Sequence, residues 1–328
     1  MTETPYPDDP ARQLRGLLED GRFQDVLDAF RRIPPAPARP EVQLLAATAA
    51  TRLGDLTLAA SLSETALTGF RARADDDGRM RATNLLGVLA FERGRPAEAE
   101  GHFRLALDLA RALSDSLMTA RACNNLASLA DLRGEPDEAL SLYRYALLSY
   151  QRLGDRRGTA ESYHNLGIVF RQMMEWGDAE SSAGEAVRHA ELVGEPSLIA
   201  LAVTGRAEID LYRGERDMAR QALVRAGTLA QEAKDELGIV EVGRLRALLA
   251  LADGQYEIAT REAEEARTAA VKTRAVLLQA ECGAAAARAL KALGRTAEAE
   301  ERRVEAIGLF DSLGASRRLA DFQKAWGA

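Results

Sequence analysis

The sequence predicts an all-α solenoid, a stack of antiparallel helical hairpins, on three observations. Of 328 residues, 47% are hydrophobic but only 5% aromatic, and the abundant Ala, Leu, Arg and Glu favour helices packed closely through small side chains. Gly54, Gly94, Gly134, Gly214, Gly254 and Gly294 fall at multiples of 40 residues, with Met174 in the one missing slot. Ala59, Ala99, Ala139, Ala179, Ala219, Ala259 and Ala299 repeat at the same period without interruption, as do Ala66, Ala106, Ala146, Ala186, Ala226, Ala266 and Ala306. Self-similarity at a fixed period marks a repeat architecture.

Each element follows from this period. Residues 1–10, "MTETPYPDDP", are expected to be disordered. Residues 11–33 suggest a short hairpin turning at Gly21, followed by the helix-breaking "PPAPARP" of 34–40. Together they form a degenerate N-terminal cap over 11–40. Seven 40-residue units follow over 41–315. In each, the glycine can take the left-handed conformation that ends a first helix. Pro96 and Pro136 stand two residues later, where a second helix begins and a missing N–H costs nothing. Ala139 and Ala146 share one face of the second helix. A third series, Ala47, Gly87, Ala127, Gly167, Ala207, Ala247 and Ala287, contains only small residues and lets the two helices approach closely. Met174 in a left-handed position costs on the order of 1 kcal/mol. Nearby, Trp176 and Met173 are expected to pack. The acidic "ADDDG" of 74–78 reads as a solvated loop between hairpins. Residues 316–328 read as an amphipathic helix that caps the array, as solenoid ends require.

The small-residue spacing, together with Leu126, Leu166 and Tyr256, resembles the tetratricopeptide repeat (TPR) family over about residues 41–315. The longer period and the link "LGDRRGTA" (153–160) are similar to the long repeats of spindle-orientation adaptors and bacterial signalling sensors. The resemblance implies a right-handed superhelix whose concave groove, lined by the first helix of each repeat, binds a peptide or a protein.

Residues that would face such a groove form rows at the 40-residue period. Asn84, Asn124 and His164 make one, with Thr204 and Arg244 beyond. Leu85, Asn125 and Asn165 make the next. Val88, Ser128 and Ile168 follow, then Phe91, Asp131 and Arg171, with Arg121 a turn earlier. Asparagine amides can donate to and accept from a peptide backbone, and arginines can fix a carboxylate. The candidate binding residues are therefore Asn84, Arg121, Asn124, Asn125, Ser128, His164, Asn165 and Arg171. Structural alternatives stand beside the binding reading: Asn125 and Asn165 can satisfy backbone groups between repeats, a role that explains Asn84, Asn124 and His164 less readily, and Arg121 and Arg171 can be solvated or paired with Glu161 or Asp131. Beyond residue 240 the groove is plainer, with Leu245, Leu248, Leu251, Ala284 and Ala285 read as covered core.

No phosphate loop, dinucleotide fingerprint or nucleophile elbow is present, and His102, His164 and His189 lack metal-ligand spacing. No catalytic residue, metal or cofactor is expected. A net charge of -7 argues against nucleic acid and anionic membrane as partners. Cys123 and Cys282 read as small buried side chains. There is no signal-peptide pattern or membrane-length apolar run, so a cytoplasmic location is expected. The sequence thus predicts a non-enzymatic adaptor that binds a protein or peptide. A scaffold that self-associates through its end repeats, and a small-molecule or peptide sensor, are the alternatives.

Overall fold

The structure, a computed structural model, describes residues 9–33 and 39–327. The disorder expected for 1–10 falls chiefly on residues 1–8, and the proline-rich linker on 34–38; both stretches lie outside the described residues. Asp9 already belongs to the first helix, its carboxylate accepting from the Ala11 N–H at 3.1 Å. A short hairpin comes first, α1 (Pro10–Glu19) and α2 (Phe23–Arg32), turning at Gly21 with φ 70°. Seven longer hairpins follow: α3 (Pro40–Arg52) with α4 (Leu56–Ala72), α5 (Asp76–Glu92) with α6 (Pro96–Ala112), α7 (Ser116–Arg133) with α8 (Pro136–Leu153), and α9 (Arg156–Gln172) with α10 (Trp176–Val193). The series continues through α11 (Pro196–Arg213) with α12 (Arg216–Glu232), α13 (Glu236–Ala252) with α14 (Tyr256–Thr273), and α15 (Val276–Ala292) with α16 (Thr296–Leu313). A single helix, α17 (Ser316–Gly327), ends the chain.

The chain reverses through left-handed backbone every 20 residues. Within hairpins the position is a glycine, such as Gly134 with φ 80°, except at Met174 with φ 62°. Between hairpins the same conformation recurs at Ala74, Ser114, Gly154, Gly194, Lys234, Arg274 and Gly314. This second series is hidden in the sequence because most of its members are not glycine. The acidic stretch at 74–78 is not a loop. Asp75 caps α5, its carboxylate accepting from the Gly78 N–H at 2.9 Å, and Asp76 and Asp77 form the first turn, where negative charge complements the helix dipole. Asp115, Asp155 and Asp235 cap α7, α9 and α13 in the same way.

The two alanine series on the second helices are the hairpin cores, none of them more than 5% exposed. Met173 packs partly buried against the cluster of Tyr143, Leu166 and Phe170, whereas Met174 is 70% exposed. Neighbouring hairpins meet chiefly where the second helix of one packs on the first helix of the next, as α8 on α9 and α10 on α11. First helices also touch one another, α9 with α11, α11 with α13 and α13 with α15, while among the described residues second helices make no comparable contact. The first helices therefore line the inside of the curve and the second helices its outside.

The curve closes on itself. A β-carbon on Gly54 would lie 3.3 Å from Glu236 Cβ, one on Gly94 2.9 Å from Val276 Cβ, and one on Gly134 3.2 Å from Arg317 Cβ. The ends of α3, α5 and α7 thus abut the starts of α13, α15 and α17, roughly 180 residues further along. One superhelical turn takes between four and five repeats, and the second layer rests end-on upon the first. Helix dipoles meet head to tail at these junctions, a favourable arrangement. An apolar seam accompanies them: Phe91 of α5 and Leu132 of α7 share a cluster with Val276, Leu277, Phe310, Leu313 and Phe322. Phe91, expected as an apolar residue of the groove, is instead covered by the chain's own C-terminal helices.

Candidate functional site

The inside of the superhelix holds the candidate residues. Four asparagines form a ladder between repeats: Asn125 Nδ2 donates to Asn84 Oδ1 at 3.0 Å, and Asn165 Nδ2 donates to Asn124 Oδ1 at 3.4 Å. The two asparagines of a repeat thus have different duties, the first accepting from the repeat after it and the second donating to the repeat before it. Each bond spends one capacity and leaves the rest of the amide for another partner, since an asparagine side chain carries two donors and two acceptor lone pairs. All four side chains are half-buried.

His164 faces the next repeat. Its ring rests on the α11 backbone at Gly205, where a β-carbon would collide with Nδ1, and Nδ1 is buried with no partner. Burial pushes its pKa down against the pull of Glu208 and Glu161, so the ring is neutral at pH 7. Ser128 is turned toward the second helix of its own hairpin. Its hydroxyl is 2.9 Å from the hydroxyl of buried Tyr143 and 3.3 Å from the Asn124 carbonyl. Arg121 is exposed, touches the Met118 sulfur at 3.8 Å, and makes no ion pair among the described residues.

Arg171 is paired with neither Glu161 nor Asp131. It reaches Glu208 at 3.5 Å and lies over the Tyr212 ring, 4.3 Å from its centroid. That contact opens onto a larger arrangement that the 40-residue rows did not reveal. Glu208 is 3.3 Å from Arg244, Arg244 is 3.3 Å from Glu281, Glu281 is 2.9 Å from Arg318, and Arg318 is 3.1 Å from Asp131. With Arg171 at one end and Asp131 at the other, six alternating charges form an open ring through α7, α9, α11, α13, α15 and α17. Arg244 takes a third carboxylate, Glu241, at 2.6 Å.

The spacing of the ring explains why it was missed. From Arg171 onward its members are 36 or 37 residues apart, not 40. Asp131 and Arg171 lie in the last turns of α7 and α9, Glu208 one turn earlier in α11, Arg244 in mid-α13, Glu281 in the second turn of α15, and Arg318 in the first turn of α17. Each repeat therefore advances along the superhelix axis by about one helical turn, ~5 Å. Between four and five such steps amount to about 25 Å, the length of a 17-residue helix, which is why the second layer sits end-on upon the first. A search at 37 residues among charged positions on the first helices would have found the ring.

The ring is dry, with side-chain exposure of 8% at Arg244, 9% at Glu208 and 10% at Asp131. Burial pushes the Glu208 carboxyl up, but Arg171 and Arg244 overcome it and hold the group down at about 2. Glu92, at the end of α5, has the opposite setting: burial and the nearby Glu241 charge push its carboxyl up to about 7. Among the described residues no group of three or more His, Cys, Asp or Glu side chains could hold a metal ion, and no helix is long and apolar enough to cross a membrane.

Residues 38–112, 78–152 and 118–191 each match the tetratricopeptide repeat family model, and the same hairpin continues at the same period to residue 313. Residues 38–191 are tetratricopeptide repeats, and the hairpins beyond them continue the same fold. Among solved structures it is similar to a Rap protein complexed with competence and sporulation factor, with 14% identity, a TM-score of 0.66 and 96% of each chain covered. It is also similar to the apo form of RapI, with 14% identity and a TM-score of 0.60 over 84% of this chain and 99% of that one. The Cut9–Hcn1 hetero-tetramer of the APC/C matches with 15% identity and a TM-score of 0.60, over 94% of this chain and 54% of that one. At these identities the likeness is one of fold. A comparison with curated proteins returned no match.

Proposed function

We propose that this protein is a non-enzymatic adaptor that binds a peptide, or an extended segment of a protein, inside its superhelix along the first helices of the central repeats. The observation that carries the reading is the amide ladder. Asn84, Asn125 and Asn165 are held in register by one bond each and Asn124 by two, its Oδ1 also accepting from the Ser162 hydroxyl, which pre-orients the remaining amide donors and acceptors at low entropic cost to an incoming backbone. Arg121 supplies an uncommitted positive charge at the rim, and Tyr212 is 53% exposed with Arg171 stacked upon it. Support of a coarser kind comes from a structure of the same fold that was determined as a complex of a Rap protein with competence and sporulation factor.

The test is selection of a displayed peptide library on the full-length protein, followed by titration of the selected peptides against wild type and an Asn124→Ala, His164→Ala double variant. The expected result is an affinity loss of tenfold or more in the variant, with its circular dichroism and melting temperature close to wild type. Equal affinity for both proteins would remove the central first helices from the binding surface.

A further inference from the structure

We propose that α17 is a strap that closes the superhelix and can be released from it, so that Arg318 joins Asp131 to the other charges only in the closed form. Two observations place the closure at one seam, between α17 and the ends of α7 and α9, and a third places the strap's other end on α16. Arg318 bridges Asp131 of α7 and Glu281 of α15. Its neighbour Arg317 packs on Gly134 at the end of α7 and donates to the Gln172 carbonyl at the end of α9. Phe322 meets Phe310 with ring centroids 6.3 Å apart, which holds the far end of the strap on α16. The polar contacts to α7 and α9 cross about 145 to 187 residues of chain, and both arginines that make them lie in the strap's first turn.

The seam is built as a latch. Its members bury charge, and a buried ion pair gives little net stability because desolvation offsets most of the attraction. Three polar atoms on residues of this junction are buried without a partner: Asp131 Oδ1, Gln172 Oε1 and Arg318 Nη1. Buried polar groups are normally satisfied, and a junction that strands several of them in the closed form regains their hydration when it opens. Apolar burial on α17 itself is small, with Phe322 its one buried residue. The hairpins α11 to α14 are, by contrast, joined to neighbours on both sides along their whole length. Opening by local unfolding is expected where buried apolar contact is least, and here that is the strap. Release would leave Asp131 without its cation and Glu281 with Arg244 alone, making that end of the superhelix more acidic, so the strap sets the charge that an entering molecule meets. Closure is a property of the chain alone, and the inference does not depend on the peptide reading above.

Hydrogen–deuterium exchange on the full-length protein tests it without a ligand. In wild type, the amides of α17 and those of the last turn of α7 should exchange together and at least tenfold faster than those of α11 to α14. Arg318→Met, which removes the charge and keeps the stem, and independently Arg317→Ala, should accelerate the same two segments a further tenfold and leave α11 to α14 unchanged. Protection of α17 equal to that of α11 to α14 in wild type would overturn the strap. So would acceleration spread evenly over all helices in Arg317→Ala.

Discussion

Glu92 gives this fold a stability that falls as pH rises through the neutral range. The carboxyl lies at the end of α5, inside the closed superhelix, where burial and the charge of Glu241 raise its pKa from 4.5 to about 7. Below pH 4.5 both the folded and the unfolded chain carry the proton, and Glu92 costs nothing. Between 4.5 and about 7 the unfolded chain releases its proton while the folded chain keeps it, so the unfolded state is favoured progressively; above 7 the penalty is complete. At about 1.4 kcal/mol per pH unit the full penalty is about 3 kcal/mol, and about 2–3 kcal/mol once screening at this half-buried side chain is allowed for. Glu92→Gln removes it. Urea denaturation followed by circular dichroism from pH 4.5 to 8 should show the variant equal to wild type at pH 4.5 and more stable by about 2–3 kcal/mol at pH 8. The difference between the two curves isolates Glu92 from other titrating groups. Glu208, held down at about 2 by Arg171 and Arg244 against its burial, loses its contribution only as pH falls below the ordinary carboxylate range. His164, lowered by burial, favours folding as pH rises and so opposes Glu92 in both proteins equally. Parallel curves for wild type and variant would refute the placement of Glu92 against Glu241.

Two further substitutions probe the ring and the turns. Arg244→Met leaves Glu241 without its ion-pair partner and takes one of two cations from each of Glu208 and Glu281, and should destabilise the protein by about 3–5 kcal/mol in urea denaturation, the usual cost of breaking a buried ion pair by removing one partner. Adding Glu241→Gln should recover part of that loss, and a cost below about 1 kcal/mol would show the ring to be solvated. Met174→Gly places glycine at a φ of 62° where methionine is 70% exposed; it should raise the urea midpoint by the equivalent of about 1 kcal/mol with no change in slope.

The hairpins were legible in the sequence because each is specified locally. A left-handed turn needs glycine more than any other residue, and close helix approach needs alanine at fixed offsets, so both write themselves into the chain at the repeat period. Prolines 96 and 136 mark helix starts for the same reason. The turn between hairpins was less visible, since Ala74, Ser114, Lys234 and Arg274 adopt it at a tolerable cost and leave no signature. The acidic run at 74–78 was misread as a loop because capping and first-turn carboxylates look like solvated charge when the helix boundary is placed a few residues late.

The sequence by itself determined what this protein is made of: seven 40-residue hairpins of the tetratricopeptide kind, with small residues where helices touch and a line of amides along the central first helices. Only the tertiary structure decided what those amides and charges meet. Asn84 and Asn125 are joined across a repeat boundary, and Arg171, Glu208, Arg244, Glu281, Arg318 and Asp131 are gathered from six helices into one open ring. The physical reason is the superhelical advance. Residues level with one another around the axis are separated by one repeat less about one helical turn, ~36–37 residues rather than 40, and the closing contact between Arg318 and Asp131 exists only because the superhelix completes a turn and brings the end of the chain back upon its third repeat.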